Sequence, residues 1–165
     1  MAESIRLTRF LTPLTTPQAH LTEMALNMPA LGSLAMDAQR FSGLRRSVGH
    51  QTRVLRGKKM RTVAALYDEF AAALQFGYYF GENADAFDDC MRDLDDTLGA
   101  AEQYVLLVYD AAQLLADEPR QRAWFAEAMA DCARYWADEE VIFRVILQGP
   151  APAGLTAARL DPDFG

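Results

Sequence analysis

A small parallel α/β sheet packed with helices is the fold class predicted by three features of the 165-residue sequence. Tyr104–Tyr109 (YVLLVY) and Val141–Leu147 (VIFRVIL) are continuous branched and aromatic runs, the pattern of strands covered on both faces. Apolar stripes at helical spacing stand between and before them. Short strands alternating with helices favour parallel pairing through right-handed crossovers. Three core strands are expected. Thr52–Arg56 is expected at their centre, paired in parallel with both runs. Residues 51–149 then form the main domain. Residues 1–50 are an N-terminal extension that packs on it or stands partly apart, and 150–165 are a C-terminal tail.

Each element has its own local signal. Ser4–Phe10 alternates weakly through Ile5 and Leu7 and reads as an edge strand. Thr16-Pro17 reads as an N-cap followed by proline at the first helical position. A stripe of Leu21, Met24, Ala25 and Met28 follows and stops at Pro29. Ser33–Ala38 alternates at Leu34, Met36 and Ala38 and reads as a short strand. Arg40–Gly49 reads as a surface loop. Thr62 caps a helix whose buried side is Leu66, Phe70 and Leu74, with Val63 and Ala73 beside them. Ala111–Ala116 is a short helix. Pro119 opens a longer one with the stripe Phe125, Ala128, Met129, Cys132 and Trp136. The tail from Gln148, with Pro150, Pro152 and Pro162, reads as irregular, docked by Leu155 or Phe164.

Composition narrows the function. At 51% hydrophobic residues the chain can bury a substantial core. No apolar run has the length of a membrane span, and MAESIRLTRF lacks the layout of a secretory signal. A cytoplasmic protein is expected. Cys90 and Cys132 both sit on apolar helix faces, where reduced, buried thiols are expected. His20 and His50 form no metal-ligand pattern with them. The net charge of −7 is unevenly spread. Residues 1–62 hold 10 Lys+Arg against 3 Asp+Glu, and residues 63–165 hold 6 against 20. An acidic body repels nucleic acid and steers basic proteins. The basic third has three readings: a nucleic-acid contact, a surface lying against the acidic body, or a solvated surface.

The stretch Tyr78–Leu98 (YYFGENADAFDDCMRDLDDTL) concentrates the acids. A helix starting near Asn83 places Phe87, Cys90, Met91, Leu94 and Leu98 on one face. Asp85, Asp89, Asp93 and Asp96 fall opposite, with Asp88 and Asp95 at the edge. Like charges four residues apart work against a helix. Only Asp85, in the first turn, gains from the helix dipole. Such a face fits a cationic partner or is a solvated acidic surface.

The run from Val54-Leu55-Arg56-Gly57 through Thr62 and Leu66 to Tyr79-Phe80-Gly81-Glu82-Asn83-Ala84-Asp85-Ala86-Phe87-Asp88-Asp89-Cys90 resembles the barstar family of intracellular ribonuclease inhibitors. The order of elements agrees from about Thr52 to Gly149. The resemblance implies a parallel sheet with helices and no catalysis or cofactor. It implies a basic, extracellular-type ribonuclease as partner, met by the loop and helix Tyr79–Leu94. By position, Asp89 corresponds to the carboxylate that occupies the substrate-phosphate site. Asp85 corresponds to an acid facing an active-site arginine, and Tyr79 to an aromatic on the catalytic histidine. Glu127 corresponds to an outlying acid from the last helix. Rigid helical carboxylates can fill a site of Arg, Lys and His built for phosphate, at little ordering cost. The partner-binding set is therefore Tyr79, Gly81, Asn83, Asp85, Asp88, Asp89, Asp93 and Glu127.

The chain departs from the family pattern at three places. Asp88 and Leu94 stand where the family has tryptophans, and Asp93 where it has glycine. These positions are expected at the rim of the interface, where they change the target more than the mode of binding. Structural roles compete at several residues: Tyr79 as a core or hinge aromatic, Gly81 as a turn residue and Asn83 as a helix cap. Two other functions compete. One is a barstar-fold protein for a non-nuclease basic partner. The other is a Mg²⁺-dependent phosphate-ester hydrolase using Glu82, Asp85 and Asp89 with Glu139 or Glu140. No glycine-rich phosphate loop or nucleophile–base pair supports the latter, and no divalent ion is expected at Asp85, Asp89 and Glu127.

Overall fold

The computed structural model describes residues 4–12, 28–48 and 51–162. In chain order these form β1 (Ile5–Arg6), α1 (Leu7–Phe10), β2 (Leu31–Leu34), α2 (Ala38–Val48), β3 (Thr52–Arg56), α3 (Val63–Leu74), α4 (Ala84–Met91), α5 (Leu94–Leu98), β4 (Gln103–Tyr109), α6 (Arg122–Asp138), β5 (Ile142–Gln148) and β6 (Ala158–Asp161). The strands make one six-stranded sheet in the order β1-β6-β2-β5-β4-β3. Every pairing is parallel.

The α/β class and the parallel sheet agree with the expectation, but the sheet is larger and its centre lies elsewhere. Thr52–Arg56 is an edge strand. Among the described residues it pairs only with β4, Thr52 opposite Val105 and Arg56 opposite Tyr109. The place next to β5 expected for it belongs to β2, with Leu31 opposite Val145 and Leu34 opposite Gln148. The composition of β3 suits an edge: Arg53 and Val54 are half-buried and Arg56 is exposed, and charge on an edge discourages further pairing. The two apolar runs, β4 and β5, are both inner strands, and their core residues are fully enclosed.

Strand periodicity distributes β4 and β5 between two cores. Tyr104, Leu106 and Val108, with Phe143, Val145 and Leu147, face a large cluster built by α3, α4, α5 and α6. Val105, Leu107 and Ile146 face a smaller cluster with Leu7, Phe10, Phe41, Leu44 and Leu160. The stripe Phe125, Ala128, Met129, Cys132 and Trp136 is buried throughout.

Three local expectations need correction. Arg40–Gly49 is not a surface loop, since α2 occupies Ala38–Val48 and buries Phe41 and Leu44. Its polar, glycine-containing sequence is held helical by those two contacts. The strand expected at Ser33–Ala38 lies earlier, at Leu31–Leu34. The tail is not wholly irregular: Leu155 is buried as expected, but Ala158–Asp161 forms β6, between β1 and β2. At the other end, β1 is the edge strand expected near Ser4, shortened by α1. The helix read from Thr16-Pro17 and the docking by Phe164 fall outside the described residues.

Candidate functional site

The acidic segment hangs on α3. Thr62 Oγ1 accepts from Ala65 N at 3.1 Å and starts that helix; Gln75 ends it in the left-handed region. A tight turn follows, with Phe80 N donating to the Gly77 carbonyl at 3.0 Å. A side chain at Gly77 would place its Cβ 2.3 Å from the Tyr79 ring, so the ring lies directly over this glycine and would have to swing aside for a larger residue. Phe80 packs edge-on against Phe76 and Tyr67, at 5.2 and 5.6 Å between centroids. Tyr79 is 65% exposed and Tyr78 fully so. The core reading of Tyr79 is thereby removed.

Asn83 caps α4 as the sequence indicates. Its Oδ1 accepts from Ala86 N at 2.9 Å, and its Nδ2 donates to the Gly81 carbonyl at 3.3 Å. Gly81 and Asn83 thus tie the turn to the helix, and both are exposed. Phe87 anchors the inner face, 5.2 Å from Phe70 and 5.6 Å from Tyr67 and Trp124 between centroids. The far end is held by α6: Trp136 Nε1 donates to the Met91 carbonyl at 2.9 Å, and Cys132 Sγ at 3.6 Å. Burial pushes the thiols of Cys132 and Cys90 up.

The helix does not run on to Leu98. It ends at Met91, with Arg92 N bonded to the carbonyls of Asp88 and Asp89, and α5 restarts after Asp93. Asp93 is therefore an N-terminal flanking residue of a second helix, not part of one continuous acidic face. Five aspartates between Asp88 and Asp96 repel one another and are weak helix formers, which accounts for a break here. The inner face survives it: Phe87, Cys90, Met91 and Leu94 are buried and Leu98 is half-buried. Leu94 is a core residue, 0% exposed, and not a rim position.

The acids differ in environment. Asp85 and Asp89 are exposed on α4. Asp88 is half-buried. Burial raises its pKa, Arg92 opposes that, and the charges of Asp131, Asp85 and Asp89 add to it. Asp93 is raised by burial and then by Asp96, Asp95 and Asp89. Arg92 itself lies over the Tyr135 ring, 5.7 Å from its centroid. Glu127 is exposed on α6, one turn before Asp131. The acid of α6 that acts on Asp88 is Asp131, paired with Arg134 and missed in the sequence. Its spacing carried a signal: it lies seven residues after Trp124, two helical turns along the edge that meets Phe87.

Tyr79, Gly81, Asn83, Asp85, Asp88 and Asp89 thus share one turn-and-helix unit. Asp93 follows its break and Glu127 comes from another element. Glu139 and Glu140 lie past Trp136, beyond the Met91 end of α4 and away from Glu82 and Asp85. Among the described residues, no group of three or more His, Cys, Asp or Glu side chains is placed to hold a metal. No described helix is long and apolar enough to cross a membrane. A groove of ≈ 310 Å³ lies elsewhere, beside the edge strand, lined by Arg56, Lys59, Ala65, Asp68 and Glu69.

A family model described as Barstar (barnase inhibitor) matches residues 50–148. A comparison with curated proteins finds no match. The matched range runs from β3 through β5 and contains the whole acidic segment.

Proposed function

The chain belongs to the barstar family, and from that premise we propose that it inhibits a basic ribonuclease in the cytoplasm, as an immunity protein, by laying the Tyr79–Leu94 segment over the enzyme's active site. One observation carries this reading: Asp85 and Asp89 stand exposed on a helix whose opposite face is locked by Phe87 and Met91. Carboxylates held in that way need little ordering on binding. Asp89 fills the place of a substrate phosphate, and Asp85 faces a second cation. Tyr79 packs on the enzyme's catalytic histidine. Asp88, Asp93 and Glu127 add charge around them, while Gly81 and Asn83 keep the turn and helix in register. No cofactor or metal takes part.

A non-nuclease basic partner is the second reading. It is favoured by acid at Asp88 and Asp93, where the family carries tryptophan and glycine. Inhibition of RNA cleavage by barnase, titrated with the purified protein, separates the two. Stoichiometric inhibition lost in Asp89→Ala supports the first; no inhibition at micromolar protein overturns it. Calorimetric titration with Mg²⁺, Mn²⁺ and Ca²⁺ tests the hydrolase reading. A one-to-one site lost in Asp89→Ala would favour that enzyme.

A further inference from the structure

The turn before the acidic helix exposes two aromatic rings, and the family resemblance accounts for only one of them. Gly77–Phe80 closes through the 3.0 Å bond from Phe80 N to the Gly77 carbonyl, which puts Tyr78 and Tyr79 at its two corners. The feet of the turn are half-buried aromatics packed on the core: Phe76 and Phe80 pack on each other, Phe80 on Tyr67 and Phe76 on Phe87. The corners are therefore presented by a held frame. Tyr79 folds back over Gly77, and the two tyrosine rings meet edge to face at 5.9 Å and 77°. Tyr78 projects, at 103% of its reference exposure, and neither hydroxyl is hydrogen-bonded among the described residues. Among the described residues, the ring contact of Tyr78 is with Tyr79, and the rest of the ring is left to solvent.

We propose that Tyr78 is a partner anchor whose free ring face takes an arginine or lysine side chain from the rim of the partner's cationic site. This rests on the proposed function and adds to it a residue outside the family pattern. The electrostatics support that occupant. A ring face is negative and attracts cations, and exposed Glu82 and Asp85 follow four and seven residues later, across the turn and into the start of α4. A partner drawn to Asp85 and Asp89 must carry cations, and those at its edge meet Tyr78 first. Tyrosine contributes a large contact at low entropic cost because it has two side-chain torsions. A single exposed aromatic would need no explanation. A pair on a braced turn leading into the binding helix does.

The experiment measures binding of barnase to the wild type and to Tyr78→Ala, Tyr78→Leu, Tyr78→Phe and Asp89→Ala. Tyr78 is fully exposed, so these variants keep the fold, which circular dichroism checks. Tyr78→Ala and Tyr78→Leu are expected to weaken binding about three- to thirtyfold, and Tyr78→Phe to stay within about twofold, because only the ring face is used. If Asp89→Ala weakens binding but Tyr78→Ala does not, the proposed function stands and the anchor is wrong. If Tyr78→Leu binds as tightly as Tyr78→Phe, the contact is apolar and the cation is wrong. If the wild type fails to bind, the proposed function falls and the anchor with it.

Discussion

Arg144 Nε donates to the carbonyl oxygen of Phe10 at 3.1 Å, and its guanidinium lies 5.5 Å from the centroid of the Phe10 ring. The last residue of α1 thus covers a charge on an inner strand. Arg144 is 5% exposed, its Nη1 donates to the Phe143 carbonyl at 2.8 Å, and burial lowers its pKa to about 10. Among the described residues no carboxylate pairs with it. The contact ties the N-terminal segment, outside the family match, to a strand inside it.

Phe10→Ala is expected to cost about 3–5 kcal/mol in urea unfolding, because it empties a fully buried site and uncovers the charge. Arg144→Met is expected to be neutral or stabilising to within about 1 kcal/mol, since an unpaired buried charge gives way to an apolar chain of similar length. A large loss in Arg144→Met would mean that the charge itself holds α1 in place.

Trp136→Phe removes the indole bond to the Met91 carbonyl at the end of α4. It is expected to cost about 1–3 kcal/mol. Hydrogen exchange should quicken in Ala84–Met91 more than in β4. Uniform change across both would place the effect in the core alone.

Asn83→Ala deletes the cap of the binding helix and is expected to cost about 1 kcal/mol, while Asn83→Asp retains most of it. Thermal melts of the three proteins check this. Equal melting of wild type and Asn83→Ala would show that the Phe87 anchor alone holds the helix start.

Glu69 receives Arg56 N, Nε and Nη2 at 2.8, 2.9 and 2.8 Å, which closes the outer edge of β3. The guanidinium bonds hold its carboxyl below the usual range, despite burial. The unfolded chain therefore takes up the proton first as pH falls. The stabilisation is complete above the unfolded pKa and is lost as pH falls through the folded one. Glu69→Gln should lower Tm most at pH 7, and the gap to wild type should close progressively below pH 4.5. A gap independent of pH would exclude the charge as its cause.

Asp89→Ala is expected to weaken a basic ribonuclease partner by about 2–5 kcal/mol, because the facing cations are left unpaired. Asp96, exposed on α5 beyond the break, should cost about 0–1 kcal/mol. Association should be fast and fall steeply with salt. Stopped-flow rates for both variants check this, and equal losses would contradict a central role for Asp89.

Much of this molecule is written in local patterns. YVLLVY has the pattern of a doubly covered strand, and the stripe Phe125 to Trp136 that of a buried helix face. Asn83 starts α4, and Phe87, Cys90 and Met91 turn inward, because capping and helical periodicity act over a few neighbouring residues. Tertiary structure decided the rest. Leu31–Leu34 and Ala158–Asp161 take places in the sheet that their own short sequences do not announce, and they displace Thr52–Arg56 to the edge. The approach of Asp131 to Asp88 and the projection of Tyr78 are likewise set by how α3, α4 and α6 dock. Strand order and helix docking depend on which distant surfaces meet, and a backbone hydrogen bond is the same whichever strand supplies it. The local pattern therefore specifies what each segment buries, while the competition among partners settles against what.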